Sequence, residues 1–134
     1  MQLKISDYCL IVADVDRAAA FYGETLGLPM RFRNENFADF DLGEGARLAL
    51  WEYAHVSGAV GVEAVGKPGN RFMGAIRLDT GEEVDAACEE LKSKGVRFIK
   101  EPADWPWGAR GTYFSDPDGY LWEVYAWVKA PRTL

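Results

Sequence analysis

The residues of this chain best suited to chemistry are carboxylates and large aromatic rings set two apart on predicted strands. Side chains alternate across a strand with period two, so Glu123 and Tyr125 share one face of the strand Tyr120 to Val128. Ala49 and Trp51 share a face of the strand Arg47 to Tyr53 in the same way. A carboxylate in an apolar setting has its charged form disfavoured and can act as a base near neutral pH. Glu123 is the candidate base, with Asp7 as a second carboxylate. The open alternative is that Glu123 bonds a backbone group or an arginine such as Arg110, and that Asp7 is a strand-end residue in water. Aromatic rings offer rigid contact surface with a polar handle, and their faces attract cations. The chain holds seven phenylalanines, six tyrosines and five tryptophans. Trp105-Pro106-Trp107-Gly108 is read as a loop before a strand, which leaves Trp107 to line a ligand cleft or a dimer contact. Arg110 and Arg47 can grip a carboxylate or phosphate in bidentate fashion, or pair with a local acid. Asp116-Pro117-Asp118-Gly119 reads as turn chemistry rather than catalysis. His55 is the only histidine and is assigned to a loop.

The elements that position these residues come in two copies. Ala13-Asp14-Val15-Asp16-Arg17-Ala18-Ala19-Ala20-Phe21-Tyr22, running to Gly27 and on to Arg31-Phe32, is an acidic turn, an amphipathic helix and a strand. Leu78-Asp79-Thr80-Gly81-Glu82-Glu83-Val84-Asp85-Ala86-Ala87, running to Gly95 and on to Arg97-Phe98, repeats that order. Phe40-Asp41-Leu42-Gly43-Glu44-Gly45 before Leu48-Ala49-Leu50-Trp51 is matched by Phe114-Ser115-Asp116-Pro117-Asp118-Gly119 before Trp122-Glu123-Val124-Tyr125. Repetition of a strand–helix–strands unit predicts a pseudo-twofold sheet with a cleft between its halves. Asp14 is the expected N-cap of the first helix and Gly27 its C-cap. Val15, Ala18, Ala19, Tyr22 and Leu26 form that helix's apolar stripe. Val84, Ala87, Cys88 and Leu91 form the stripe of the second helix, Glu82 to Lys94. The first strand, Ile5 to Ala13, is apolar enough to be covered on both faces. The modules are expected at 1–53 and 71–128, with a glycine-bearing linker over 54–70 and a short strand near Val60 to Val65.

Composition narrows the partners. The chain has 134 residues, one domain's worth. Its net charge is −6, from 21 acids and 15 bases. That balance disfavours nucleic acid, whose binders need clustered positive charge. No apolar run is long enough to span a bilayer, and the first residues lack a signal-peptide pattern. Cys9 and Cys88 make no disulfide framework and are read as reduced, buried packing residues of a cytoplasmic protein.

Asp14-Val15-Asp16-Arg17 followed by Ala20-Phe21-Tyr22 and Leu26-Gly27-Leu28, with Trp107-Gly108 and Asp116-Pro117-Asp118-Gly119 before Leu121-Trp122-Glu123, resembles the vicinal oxygen chelate superfamily. That superfamily holds glyoxalase I, extradiol dioxygenases, fosfomycin-resistance proteins and bleomycin-resistance proteins, and this chain is closest in character to the last. The resemblance implies an α+β fold of two βαβββ modules forming a curved eight-stranded mixed sheet around a cleft, in a homodimer. It also implies four ligand positions in the metal-dependent members. Mapped here, these are Asp7 and Met73 on the first strand of each module, and Ala49 and Glu123 on the last. The superfamily's usual histidines and glutamate suit zinc, nickel or iron. Alanine cannot ligate, and a thioether is a soft, neutral donor. Glu52 cannot substitute, because alternation puts it on the face opposite Ala49.

The expectation is therefore a cleft without metal or other cofactor. Asp7, Ala49, Trp51, Met73, Trp107, Arg110, Glu123 and Tyr125 would line it. A small aromatic or cationic compound, such as an antibiotic, would be bound or sequestered there without catalysis. Two alternatives remain: a metal-dependent lyase, isomerase or dioxygenase with another ligand set, and a metal-free enzyme using Glu123 as base.

Overall fold

A computed structural model describes residues 2, 5–60 and 72–129. The chain divides into two compact units, Met1–Pro68 and Gly69–Leu134. In the first, β1 (Asp7–Val12), α1 (Val15–Ala20), β2 (Met30–Arg33), β3 (Phe37–Gly43) and β4 (Ala46–Glu52) are followed by α2 (Tyr53–Val60). The second runs β5 (Met73–Arg77), α3 (Gly81–Ser93), β6 (Phe98–Asp104), β7 (Ala109–Ser115) and β8 (Leu121–Trp127). Each unit is thus βαβββ, and the two are built alike. The eight described strands form two four-stranded mixed sheets, ordered β1-β4-β3-β2 and β5-β8-β7-β6. In each sheet the first strand runs parallel to the last and all other neighbours are antiparallel. No helix among the described residues is long and apolar enough to cross a membrane.

The helices form where sequence pattern and capping agree. The Asp14 carboxylate accepts from the Arg17 backbone N–H at 3.1 Å, satisfying a donor that the first turn leaves free. Thr80 does the same for α3, accepting from the Glu83 N–H at 3.2 Å. Beyond Ala20 the first helix widens into a π turn over Phe21–Thr25. Val15, Ala18, Ala19 and Tyr22 are buried on the sheet beside Leu10, Val12, Phe40, Leu48 and Leu50. Each large apolar side chain so buried contributes about 1.5–3 kcal/mol. Val84, Cys88 and Leu91 of α3 are buried with Phe114, Trp122, Val124 and Ala126 in the second unit. Trp122 lies against Gly74, where an added Cβ would overlap the indole ring.

Three expectations change. The segment after Tyr53 is a helix to Val60, not linker, and it carries His55; the rest of the strand expected to Val65 lies outside the described residues. Cys9 is exposed while Cys88 is buried. The reason is parity: Leu10 and Val12 point to the buried face, while Cys9 and Ile11 lie on the other, which is exposed along β1. The first strand is therefore covered on one face only.

Candidate functional site

In each unit one sheet face packs on the helix and the other carries the candidate residues. On the second sheet, alternation along β8 buries Trp122, Val124 and Ala126 and leaves Glu123, Tyr125 and Trp127 half-buried on the opposite face. Register brings Tyr113 of β7 directly beside Glu123, and Gly111 beside Tyr125. The Tyr113 hydroxyl donates to Glu123 Oε2 at 2.5 Å. Burial, then that hydrogen bond and the carboxylate's charge, push the Tyr113 pKa well above the usual tyrosine range. The phenol therefore remains a hydrogen-bond donor at neutral pH. Glu123 has no lysine or arginine partner among the described residues, and only its Oε2 is engaged.

The aromatic wall is built by the β6–β7 hairpin. Trp105 donates its indole N–H to the Gly111 carbonyl at 3.0 Å, which lays the ring over a glycine. It meets Tyr113 edge-on, ring centres 5.8 Å apart, and stacks on Trp107 at 5.3 Å with planes 11° apart. Trp107 is exposed. Tyr125 meets Trp127 edge-on at 5.6 Å. Met73 lies on the same face two residues from Ala75, which pairs with Glu123, and is exposed.

On the first sheet, Asp7, Cys9, Ala49, Trp51 and Asp39 share the face away from α1, since Cys9 pairs with Ala49 and Ala49 with Asp39. Asp7 lies 3.9 Å from the Arg47 guanidinium. Trp51 donates its indole N–H to His55 Nδ1 at 2.9 Å. Asp39 is buried, 3% exposed, and its Oδ2 accepts from Arg31 at 2.6 Å. A bulge in β2 between Met30 and Phe32 aims Arg31 at it. The hydrogen bond to Asp39 raises the Arg31 pKa further. Although the residue as a whole is exposed, desolvation of the thiol by the atoms around it, with the charge of Asp7 second, raises the Cys9 pKa.

Arg110 is placed elsewhere than expected. It pairs with Ala126, on the helix side of the sheet, and is tied to Asp85 of α3 at 2.8 Å and to Asp104 at 3.2 Å. It is neither the partner of Glu123 nor on its face. Sequence reasoning also missed Tyr113 and Asp39, and it singled out the Trp105 segment while naming only Trp107 as lining. The repeat held a signal for the two missed, because Asp39 and Tyr113 immediately precede the matched residues Phe40 and Phe114. The Asp116 turn behaves as read: its Oδ1 accepts the N–H groups of Asp118 and Tyr120 at 2.9 and 2.8 Å, and Gly119 takes the positive φ of 89° that closes the turn.

The four positions that the resemblance maps to metal ligands, Asp7, Ala49, Met73 and Glu123, do not make up a donor set suited to a divalent ion. Ala49 offers no donor, Met73 a soft thioether, Asp7 faces an arginine and Glu123 is held by a phenol. Among the described residues no three histidine, cysteine or acidic side chains are grouped as ligands.

Comparison with known proteins agrees with this architecture. The profile of the Glyoxalase/Bleomycin resistance protein/Dioxygenase superfamily matches residues 4–124. The chain belongs to that superfamily. It is similar to a crystal structure of a glyoxalase/bleomycin resistance protein/dioxygenase from Nocardioides, at 37% identity over 100% of this chain and 91% of that one, with a TM-score of 0.88. It is 33% identical over 129 residues to the uncharacterized protein YraH of Bacillus subtilis strain 168, covering 92% of this chain and 98% of YraH. It is 26% identical over 128 residues to a probable lactoylglutathione lyase of Vibrio cholerae, covering 90% of this chain and 88% of that protein.

Proposed function

We propose that this chain is a small-molecule-binding member of its superfamily, taking a flat aromatic or cationic compound on the β5–β8 sheet face. The observation that supports this most is Glu123: a half-buried carboxylate, oriented by the Tyr113 hydroxyl, without a basic partner among the described residues, with Trp105 edge-on to that tyrosine and Tyr125 two residues along the same strand face. Such a group attracts a cation, and the rings supply stacking surface and cation–π attraction. The donor set described above favours binding without a transition metal. The same reading includes a homodimer. Exposed apolar side chains such as Ile11, Met30 and Phe32 lie on edge strands β1 and β2, and pairing with a second copy is one way to cover them.

The test is calorimetric titration with the planar cation proflavine and its neutral counterpart acridine, repeated on Glu123→Gln. The proposal expects proflavine to bind and the substitution to weaken it selectively. It fails if neither dye binds, or if Glu123→Gln holds proflavine as tightly as the parent.

A further inference from the structure

The open face of the β5–β8 sheet carries a guanidinium as well as the Glu123 carboxylate. Gly74 of β5 pairs with Trp122 and packs against its indole ring, so alternation turns Met73, Ala75 and Arg77 to the other face. All three are exposed. β5 runs parallel to β8, with Ala75 beside Glu123 and Arg77 beside Tyr125. Arg77 therefore shares a face with both. Its guanidinium has no ion-pair or hydrogen-bond partner among the described residues, whereas Arg31, Arg47 and Arg110 each face a carboxylate. Glu123 and Arg77 stand one strand apart and two residues out of step. A rise of about 3.4 Å per residue and about 4.8 Å between strands puts their Cα atoms about 8 Å apart. Tyr125 adjoins both, two residues from Glu123 along β8 and directly across from Arg77.

Two opposite charges that do not neutralise each other select a ligand with the complementary pair. The guanidinium is a planar fork that matches a carboxylate with two parallel hydrogen bonds. Resting on the reading that Glu123 holds the cationic end of an aromatic ligand, we propose that Arg77 holds an anionic end of the same molecule. The ligand class is then an aromatic zwitterion, with its ammonium at Glu123, its carboxylate at Arg77 and its ring against Tyr125. Arg77 is exposed, so water and salt screen its contact. It discriminates among ligands with the same cationic end and supplies the smaller share of the affinity.

The experiment is calorimetric titration at low salt with 4-(aminomethyl)benzoate and 4-(aminomethyl)benzamide. The two share a ring and an ammonium group and differ in the charge of the far end. The benzoate should bind the parent about three- to fivefold more tightly, the scale of one solvent-screened ion pair. Arg77→Gln should remove that difference. Lys100→Gln is the control: Lys100 is exposed beside Tyr113 on β6, two strands from Glu123, and its loss changes the net charge equally but should keep the difference. Equal affinity of the parent for the two compounds would overturn the proposal and leave Arg77 as an edge-strand charge that blocks pairing. Loss of the difference in Lys100→Gln would overturn it too, by showing an effect of net charge alone. Absence of binding by both compounds would also overturn it. Because the benzoate–benzamide comparison uses the unaltered protein, it holds even if a variant fails to fold. Failure of the Glu123 reading is reported separately, by proflavine and Glu123→Gln, which do not involve an anionic end.

Discussion

Replacing Tyr113 with phenylalanine removes one hydroxyl and keeps the ring that packs on Trp105. The hydroxyl donates to Glu123 Oε2 at 2.5 Å. A hydrogen bond to a charged group contributes roughly 1.5–3 kcal/mol. Both side chains are half-buried, and solvent competes for the bond, so a loss of about 1–1.5 kcal/mol is expected. The pH dependence carries a second signature. A tyrosine in the unfolded chain ionises near pH 10, while burial, chiefly, and then Glu123 hold the native Tyr113 proton to higher pH. Above about pH 10 the native state therefore binds more protons than the unfolded state, and stability falls as pH rises. This contribution is complete below the unfolded value and is lost on the way up to the native one. Tyr113→Phe lacks it, and the other tyrosines cancel between the two proteins. The stability gap should thus be constant from about pH 7 to 9 and shrink above about 10. Urea titrations followed by circular dichroism across that range measure it. A gap near zero at neutral pH, or one that widens above pH 10, would refute the reasoning.

Gly74→Ala should destabilise the second unit by about 1–3 kcal/mol, the scale of overpacking, because the new methyl overlaps the Trp122 ring; urea titration gives the value. Protein purified without chelator should hold well under one zinc, nickel, iron or manganese per chain, and elemental analysis finding about one per chain, lost in Glu123→Gln, would contradict the donor-set argument. Sedimentation at micromolar concentration should show a dimer, and a monomer there would count against the assembly proposed.

The two βαβββ units were legible because their signals are local. Asp14 caps one amphipathic stripe and Val84, Ala87, Cys88 and Leu91 form a second, and strand alternation alone put Glu123 with Tyr125 and Ala49 with Trp51. What escaped is what depends on register. Tyr113 meets Glu123 across two strands, and Asp39 meets Ala49 likewise; neither pairing follows from one strand's own pattern. Arg110 was assigned to the cleft without a strand parity, whereas β7 begins at Ala109 and includes it. Parity with Thr112 and Phe114 puts it on the helix side. The helix Tyr53–Val60 was missed because its residues are mostly apolar with one glycine and no charged face, so no helical stripe stands out.

The central claim is that Glu123, oriented by Tyr113 and walled by Trp105 and Tyr125, holds a cationic aromatic ligand. The most direct measurement is proflavine and acridine affinity for the parent and for Glu123→Gln by calorimetry at low salt. The account predicts that the substitution weakens proflavine by about 1.5–3 kcal/mol, roughly ten- to hundredfold, and leaves acridine within twofold. Equal affinity of both proteins for proflavine, or an equal loss for the two dyes, would contradict it.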